Sequence, residues 1–367
     1  MSIVANSQHE ARAGSETAPR LLDWYDSERR DLPWRYQTGE HADPYLVWLS
    51  EIMLQQTTVK AVIPYFDRFV AAWPNIQALA EADEESVLQA WAGLGYYSRA
   101  RNLHNCAKII TSQFEGHFPQ SERQLEQLPG IGPYTAAAIS AIAFGRRATP
   151  VDSNVERVVA RLFAVEEPLP QAKSILKDLA STLTPTERTG DFAQAMMDLG
   201  ATICTPRRPS CLMCPLQDQC VAKARGIAPR LPAKSVKPER PTRFGYSFVA
   251  LAEDGALLLR QRPDTGLLAR MLEVPSTPWQ EDLISADDAK GAAPVRSNWW
   301  QVPGPVVHTF THFRLETTVY RAIVPPNAHL TFWADSARCR WVPRAEIDRQ
   351  ALPTVMRKII AHALKNH

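Results

Sequence analysis

The sequence predicts a multi-domain protein in which an all-α part precedes a smaller α+β part. Three observations lead there. Amphipathic stretches of helical length recur from about residue 20 to 220, among them "SVLQAWAGLGYYSRARNLHNCAKIITSQF" and "SILKDLASTL". A proline-rich cationic tract follows, "VAKARGIAPRLPAKSVKPERPTRF". Beyond it "FGYSFVALAEDGALLLRQR" reads as two strands around a Glu-Asp-Gly turn, and "FRLETTVYRAIV" alternates like a further strand. The expected boundaries are a disordered lead-in over 1–19, a helical domain over 20–220, an extended linker over 221–243 and an α+β domain over 244–367.

The chain has 367 residues, enough for two or three ordinary cores, and its 45% hydrophobic and 22% charged content is that of a globular protein. No apolar run approaches the length of a membrane span. The opening "MSIVANSQHEARAGSETAP" lacks the apolar core of a secretory signal, so the cytoplasm is the expected location. The formal net charge of +2 hides a polarity: from Cys204 to Arg243 nine Lys/Arg face only Asp218 and Glu239, so that stretch is +7 and the remainder −5. One cationic face suggests a polyanion such as nucleic acid; a solvated basic linker explains it equally well.

The first chemically suggestive helix is "DPYLVWLSEIMLQQTTV". Asp43 and Pro44 mark its start by cap and first-turn proline. Glu51 lies inside the apolar run, with Val47, Trp48, Leu54 and Gln55 as helical neighbours. A carboxyl on such a face is either exposed by chance or held in a pocket where its pKa rises and it can act as a general acid.

Next comes "SERQLEQLPGIGPYTAAAISAIAFG": a short helix, a tight hairpin, and a second helix with Pro133 at its first position. Gly130 and Gly132 let the backbone approach something closely, and the free amides at the helix start attract an anion. Small residues from Ala136 to Ala143 let a partner helix pack tightly. A helix-hairpin-helix that grips a DNA phosphate needs these parts, more than a plain glycine-capped corner does.

In "TPVDSNVERVVARLF", Ser153 and Glu156 fit a capping box, which leaves Asp152 just outside the helix near its positive end, where a carboxylate stays ionised. A protonated Glu and an ionised Asp form the pairing used at acetal carbons, and an N-glycosidic bond makes the same demands. Supporting the cap is the plainer role for Asp152.

Six cysteines do not form a disulfide framework. Cys204, Cys211, Cys214 and Cys220 fall in one loop, spaced C-x6-C-x2-C-x5-C, while Cys106 and Cys339 stand alone as inert thiols. Four thiolates in one loop suit zinc or an iron–sulfur cluster. Arg207 and Arg208 in the same loop would sit well against phosphates.

Glu51 in "SEIMLQQT", the hairpin "LPGIGPYTA", Asp152 in "VDSNVERV" and this cysteine spacing occur together in that order. The chain resembles the adenine-specific mismatch DNA glycosylases, the MutY family of the helix-hairpin-helix superfamily, over about residues 20 to 360. The resemblance implies a helix-hairpin-helix domain with a [4Fe-4S] cluster on Cys204, Cys211, Cys214 and Cys220, then a Nudix-like domain. It implies excision of adenine mispaired with 8-oxoguanine or guanine in double-stranded DNA; a monomer, associated with the nucleoid through DNA binding, is the expectation beside it. By motif, Glu51 would protonate adenine and Asp152 would stabilise or transiently bond to the sugar cation, with Tyr134 and Asn154 beside them. Trp34, Arg35 and Gln194 would line the adenine pocket. Leu54, Gln56 and Tyr96 would fill or wedge the vacated stack, although Tyr96 equally suits a core.

The C-terminal part resembles the family's Nudix-like domain through "RPDTGLLARMLEVPSTPW" and "HTFTHF". No Glu-rich helix follows Gly266, so nucleotide hydrolysis is not expected. The loop Phe310-Thr311-His312 is implied to recognise 8-oxoguanine. Thr311 stands where the family commonly has serine, and Ser153 where it commonly has glycine. His308 and His312 read as flanking a loop rather than as a metal pair. Two other readings compete. Endonuclease III-like enzymes that also cut the strand carry a Schiff-base lysine where this chain has Tyr134, and a phenol forms no imine. A non-catalytic DNA-binding factor would need neither Glu51 nor Asp152.

Overall fold

The computed structural model describes residues 3–36, 42–235, 240–326, 328–331, 336–350 and 352–365. The chain divides into two compact units, Met1–Glu84 with Arg99–Val236, and Glu85–Ser98 with Lys237–His367. Among the described residues no helix is long and apolar enough to cross a membrane.

The first unit is helical. Its elements are α1 (Ile3–Glu28), α2 (Pro44–Leu54), α3 (Val59–Ala72) and α4 (Ile76–Glu81), then, after α5 (Glu84–Ala90), α6 (Ser98–Gln113) and α7 (Glu122–Leu125). They continue with α8 (Pro133–Phe144), α9 (Ser153–Leu162), α10 (Lys173–Leu183), α11 (Thr189–Thr202) and α12 (Val221–Ala224). Asp43 caps α2 by accepting from the Tyr45 amide at 2.8 Å, with Pro44 in the first turn as its sequence predicts. Pro133 opens α8, and Gly145 closes it in the left-handed region at φ 61°. Ala136, Ala138 and Ala141 of α8 are fully buried, and these small side chains let α2 and α11 pack closely on it. Apolar side chains of α1, α9, α10 and α11, including Leu21, Val159, Leu176 and Leu199, form a second core.

Three boundaries differ from the sequence reading. The lead-in expected over 1–19 is helical backbone from Ile3, and its end enters the buried stripe of Ala18, Leu21 and Tyr25 at helical spacing. The stretch read as helical from Ser86 to Phe114 is broken between α5 and α6, where Gly93 and Gly95 take positive φ values of 105° and 74°. The linker expected to be extended from 221 folds onto the helical unit as far as 235. Ala222, Ala228 and Leu231 bury together, and the Leu169 amide donates to the Ala233 carbonyl at 2.9 Å. Residues 236–239 of that linker lie outside the described residues.

The second unit is built on a seven-stranded sheet of β1 (Thr242–Ala252), β2 (Leu257–Gln261), β3 (Leu272–Glu273), β4 (Trp300–Gln301), β5 (Val306–Thr309), β6 (Arg314–Val324) and β7 (Cys339–Val342). The main path runs β3-β2-β1-β6-β4, with β5 also paired to β6 and β7 to β2. β1 and β6 pair in parallel from Thr242↔Arg314 to Ala252↔Val324. A parallel pair is usually covered on both faces, which explains the near-continuous burial of β1 from Tyr246 to Ala250. One face carries α14 (Thr354–Leu364) over Val249, Leu315 and Val319; the other buries Ala289 of α13 (Ala286–Gly291) against Tyr246, Phe248 and Tyr320. The Glu-Asp-Gly turn predicted between the first two strands is present, with Leu251 opposite Leu257.

Candidate active site

A cavity of about 710 Å³ opens among α2, α8, α9 and α11, and it brings together residues far apart in sequence. Glu51 of α2, Tyr134 of α8, and Asp152 and Asn154 at the start of α9 share its wall. Trp34, Arg35 and Gln194 also line it, as do Leu54 and Gln56 at the end of α2. Its volume lies in the range that holds a small-molecule-sized group, which includes a nucleoside.

Glu51 is 7% exposed. Burial pushes its carboxyl up to about 7 from an ordinary 4.5; the neighbouring Asp152 charge adds to this, while the Tyr134 phenol and the Arg35 charge oppose it. The sequence left open whether Glu51 is exposed or pocketed, and the structure places it in the pocket. Tyr134 is half-buried beside Glu51; desolvation and then the Glu51 charge raise its phenol well above the usual range, and its hydroxyl contacts Met197 Sδ at 3.8 Å.

Asp152 is the N-cap of α9 rather than a neighbour of the cap. Its Oδ1 accepts from the amides of Asn154 and Val155 at 2.9 and 2.8 Å, and its Oδ2 from the Asn154 side-chain amide at 2.7 Å. The expected Ser153–Glu156 capping box is therefore replaced, because the backbone is extended at Asp152 and already helical at Ser153, which leaves the Asp152 carboxylate facing the free amides. Ser153 is exposed in the first turn, and Glu156 faces Lys173 at 3.6 Å instead. The helix N-terminus adds partial positive charge beside the Asp152 carboxylate.

Several supporting residues escaped the sequence reading. Asp198 of α11 has a fully buried side chain, and Arg35 and Arg30 both pair with it, each with a nitrogen 2.7 Å from Oδ1. Arg35 is thus a braced wall of the cavity. Arg157 donates to the Asn154 side-chain oxygen at 2.8 Å, the Gly200 carbonyl at 2.7 Å and the Cys204 carbonyl at 2.6 Å. One turn on, Arg161 donates to Cys204 Sγ at 3.3 Å and to the Thr205 carbonyl at 2.7 Å. The one available signal was two arginines four apart on the stripe of α9 that also carries Val158 and Leu162. Gly200 permits this join: a Cβ there would meet Asn154 Cβ at 2.5 Å.

The four clustered cysteines line one small cavity together with Arg161. Among the described residues no three His, Cys, Asp or Glu converge on a single ion's position. Four thiols around one shared cavity are the donor set of an iron–sulfur cluster bound by one cysteine per iron. Burial pushes the Cys214 thiol up to about 12, and the neighbouring cysteines push the same way; a positively charged iron core reverses that preference when bound. The isolated Cys106 is fully buried, its thiol also raised to about 12, as expected of an inert residue.

Gly130 sits in the hairpin at φ 79°, with a would-be Cβ 3.0 Å from Asn102, so only glycine suits it. Gly132 caps α8 with ordinary φ and open space around its Cα. Tyr96 is 57% exposed at φ 49°. In the second unit, Thr311 and His312 form the exposed tip between β5 and β6, closed by the Phe310 amide donating to the Phe313 carbonyl at 2.9 Å. Phe310 is half-buried, stacked on Phe313 at 4.7 Å, so the loop's anchor and its tip are different residues.

Residues 49–185 match the HhH-GPD superfamily of base excision DNA repair proteins, residues 204–220 the iron-sulfur binding domain of endonuclease III, and residues 246–362 the NUDIX domain. The adenine DNA glycosylase of Homo sapiens is 36% identical over 92% of this chain and 72% of its own length. The chain belongs to the adenine DNA glycosylase family. A second relative of that name, from Buchnera aphidicola, is 32% identical over 94% of this chain and 97% of its own. A thermostable thymine-DNA glycosylase of known structure superposes with a TM-score of 0.52 at 28% identity, covering 60% of this chain and 99% of that one. The chain is accordingly a DNA glycosylase of base excision repair, a hydrolase of N-glycosyl bonds with a [4Fe-4S] site, built from the helix-hairpin-helix and Nudix-like domains that its motifs imply.

Proposed function

We propose that this glycosylase removes adenine mispaired with 8-oxoguanine or guanine in duplex DNA and leaves the strand intact. The observation that carries the reading is a buried Glu51 with a carboxyl near 7, in the same cavity as the helix-capping Asp152. Protonated Glu51 gives its proton to a ring nitrogen of an extruded adenine. The N-glycosidic bond then breaks with its electron pair leaving on the base. Asp152 faces the oxocarbenium carbon, as stabiliser or as transient covalent partner, and Asn154 holds its Oδ2 in place. Water completes the hydrolysis at C1′. Tyr134, standing where a lyase needs an amine, forms no imine.

Around this centre, Trp34, Arg35 and Gln194 hold the flipped base, and Leu54 and Gln56 fill the gap it leaves. The hairpin of Gly130 and Gly132 lets a backbone phosphate approach the free amides in the first turn of α8 beyond Pro133. Thr311 and His312, with Phe310 as anchor, recognise 8-oxoguanine. The enzyme acts as a monomer on DNA in the cytoplasm.

The test is a duplex carrying 8-oxoguanine opposite adenine. Free adenine should appear, with strand breakage only after alkali; breakage without alkali, or no adenine release, overturns the reading. Replacing Thr311 by Ala should cost roughly tenfold on this duplex, the size of one hydrogen bond to the lesion, and leave the guanine:adenine rate unchanged.

A further inference from the structure

The end of α2 is built in a way that the reaction so far leaves unexplained. Gln56, just beyond the helix, holds φ 58°, a conformation that suits glycine and strains other residues. A helix that stops this way leaves its last carbonyls without partners. Arg99, 8% exposed at the start of α6, supplies them: its Nη1 donates to the Ile52 and Met53 carbonyls at 3.0 and 2.9 Å, and its Nη2 to Thr57 Oγ1 at 3.0 Å. Thr57 Oγ1 donates in turn to the Gln55 carbonyl at 3.2 Å. On the other side, Gln55 Nε2 reaches the Gly130 carbonyl at 3.4 Å and Thr135 Oγ1 at 3.3 Å. The segment from Leu54 to Thr57 is thereby clamped between the phosphate hairpin and a buried guanidinium.

We infer that Arg99 is a positioning residue for base extrusion: its planar fork holds the end of α2 in the strained turn that aims Leu54 and Gln56 at the DNA stack. Glycine at position 56 would relieve the strain, but it has no side chain to offer. A residue with reach needs an external brace, and a guanidinium with Nη1 on two consecutive carbonyls and Nη2 on the Thr57 hydroxyl provides one. Arg99 acts through the turn and not through the proton on Glu51. The inference rests on the proposed role of Leu54 and Gln56 in the vacated stack.

The test separates extrusion from chemistry. In a Glu51→Gln background, which stops the reaction, 2-aminopurine in place of the target adenine reports unstacking by its fluorescence. With Arg99 intact the signal should rise on binding. Arg99→Met should cut the extruded population roughly tenfold, the worth of a charge-assisted hydrogen bond, and Arg99→Lys should restore part of it. Thr57→Val, which keeps the shape and deletes one acceptor, should give a smaller loss and decides the matter if Arg99→Met fails to fold. With Glu51 present, the alkaline midpoint of the cleavage rate should not move in either variant. Full extrusion in the folded variants, or a shifted midpoint with extrusion intact, overturns the inference. No rise even with Arg99 intact overturns base extrusion itself, and the role of Arg99 with it.

Discussion

Arg35 and Asp198 form a buried ion pair behind the cavity, two guanidinium nitrogens on two carboxylate oxygens, and the Asp198 side chain has no solvent exposure. Burial alone would raise the Asp198 carboxyl, but the Arg35 hydrogen bond and charge hold it below its ordinary 3.8. Asp198→Asn should therefore destabilise the fold by about 3 kcal/mol, since it strands a buried guanidinium. A depressed carboxyl contributes stability that is present above its unfolded pKa and lost as pH falls through its folded value. Urea unfolding should show this acid-side loss in the native chain and a weaker slope below about pH 4 in the variant.

Glu51 behaves in the opposite sense. The rate should be flat on the acid side of about 7 and fall about tenfold per pH unit above it, as the general acid loses its proton. Glu51→Gln should lower the rate at least 100-fold while duplex binding survives. A raised carboxyl contributes stability that is present below its unfolded pKa and lost as pH rises through the folded value. Moving it from 4.5 to about 7 is worth about 3 kcal/mol at 1.36 kcal/mol per pH unit. Glu51→Gln should accordingly be more stable than the native chain above pH 7, and equal denaturation midpoints there would contradict the buried-acid assignment.

The Tyr134 phenol opposes the rise of the Glu51 carboxyl. Removing its hydroxyl with Tyr134→Phe should therefore move the alkaline limb of the rate profile upward. Single-turnover rates across pH check this; an unmoved limb means the phenol does not donate to the carboxyl.

Arg157 joins the cysteine loop to the start of α9 through Cys204, Gly200 and Asn154. Arg157→Met should lower stability by on the order of 3 kcal/mol and reduce both bound iron and cleavage rate. Iron per chain and visible absorbance, measured beside the rate, check it. Full iron content with native activity would show that the link is dispensable.

Much of the local architecture was legible because it is set by neighbours in sequence. The Asp43-Pro44 start, the Pro133 first turn, the cysteine spacing and the alternation of β6 all rest on interactions within a few residues. The capping of α9 was misread by one residue, since Asp152 and Ser153 are both competent caps and only the backbone path decides between them. The lead-in was read as disordered and the linker as extended because apolar residues such as Ala18 in one and Leu231 in the other acquire meaning only against the core they bury in.

By itself the sequence determined which groups are available: two carboxyls of the right kind, a phenol in place of an amine, four cysteines in one loop, and a hairpin able to approach a phosphate. Tertiary structure decided what those groups are. Whether Glu51 is an acid near neutrality depends on its desolvation and on Asp152 and Arg35, which reach it from other elements. Asp198, Arg157 and Arg99 look like ordinary surface charges in the sequence; burial against carboxylates and carbonyls distant along the chain makes them braces of the site. Charge state and hydrogen-bond partnership are properties of surroundings, and those surroundings exist only once the helices pack.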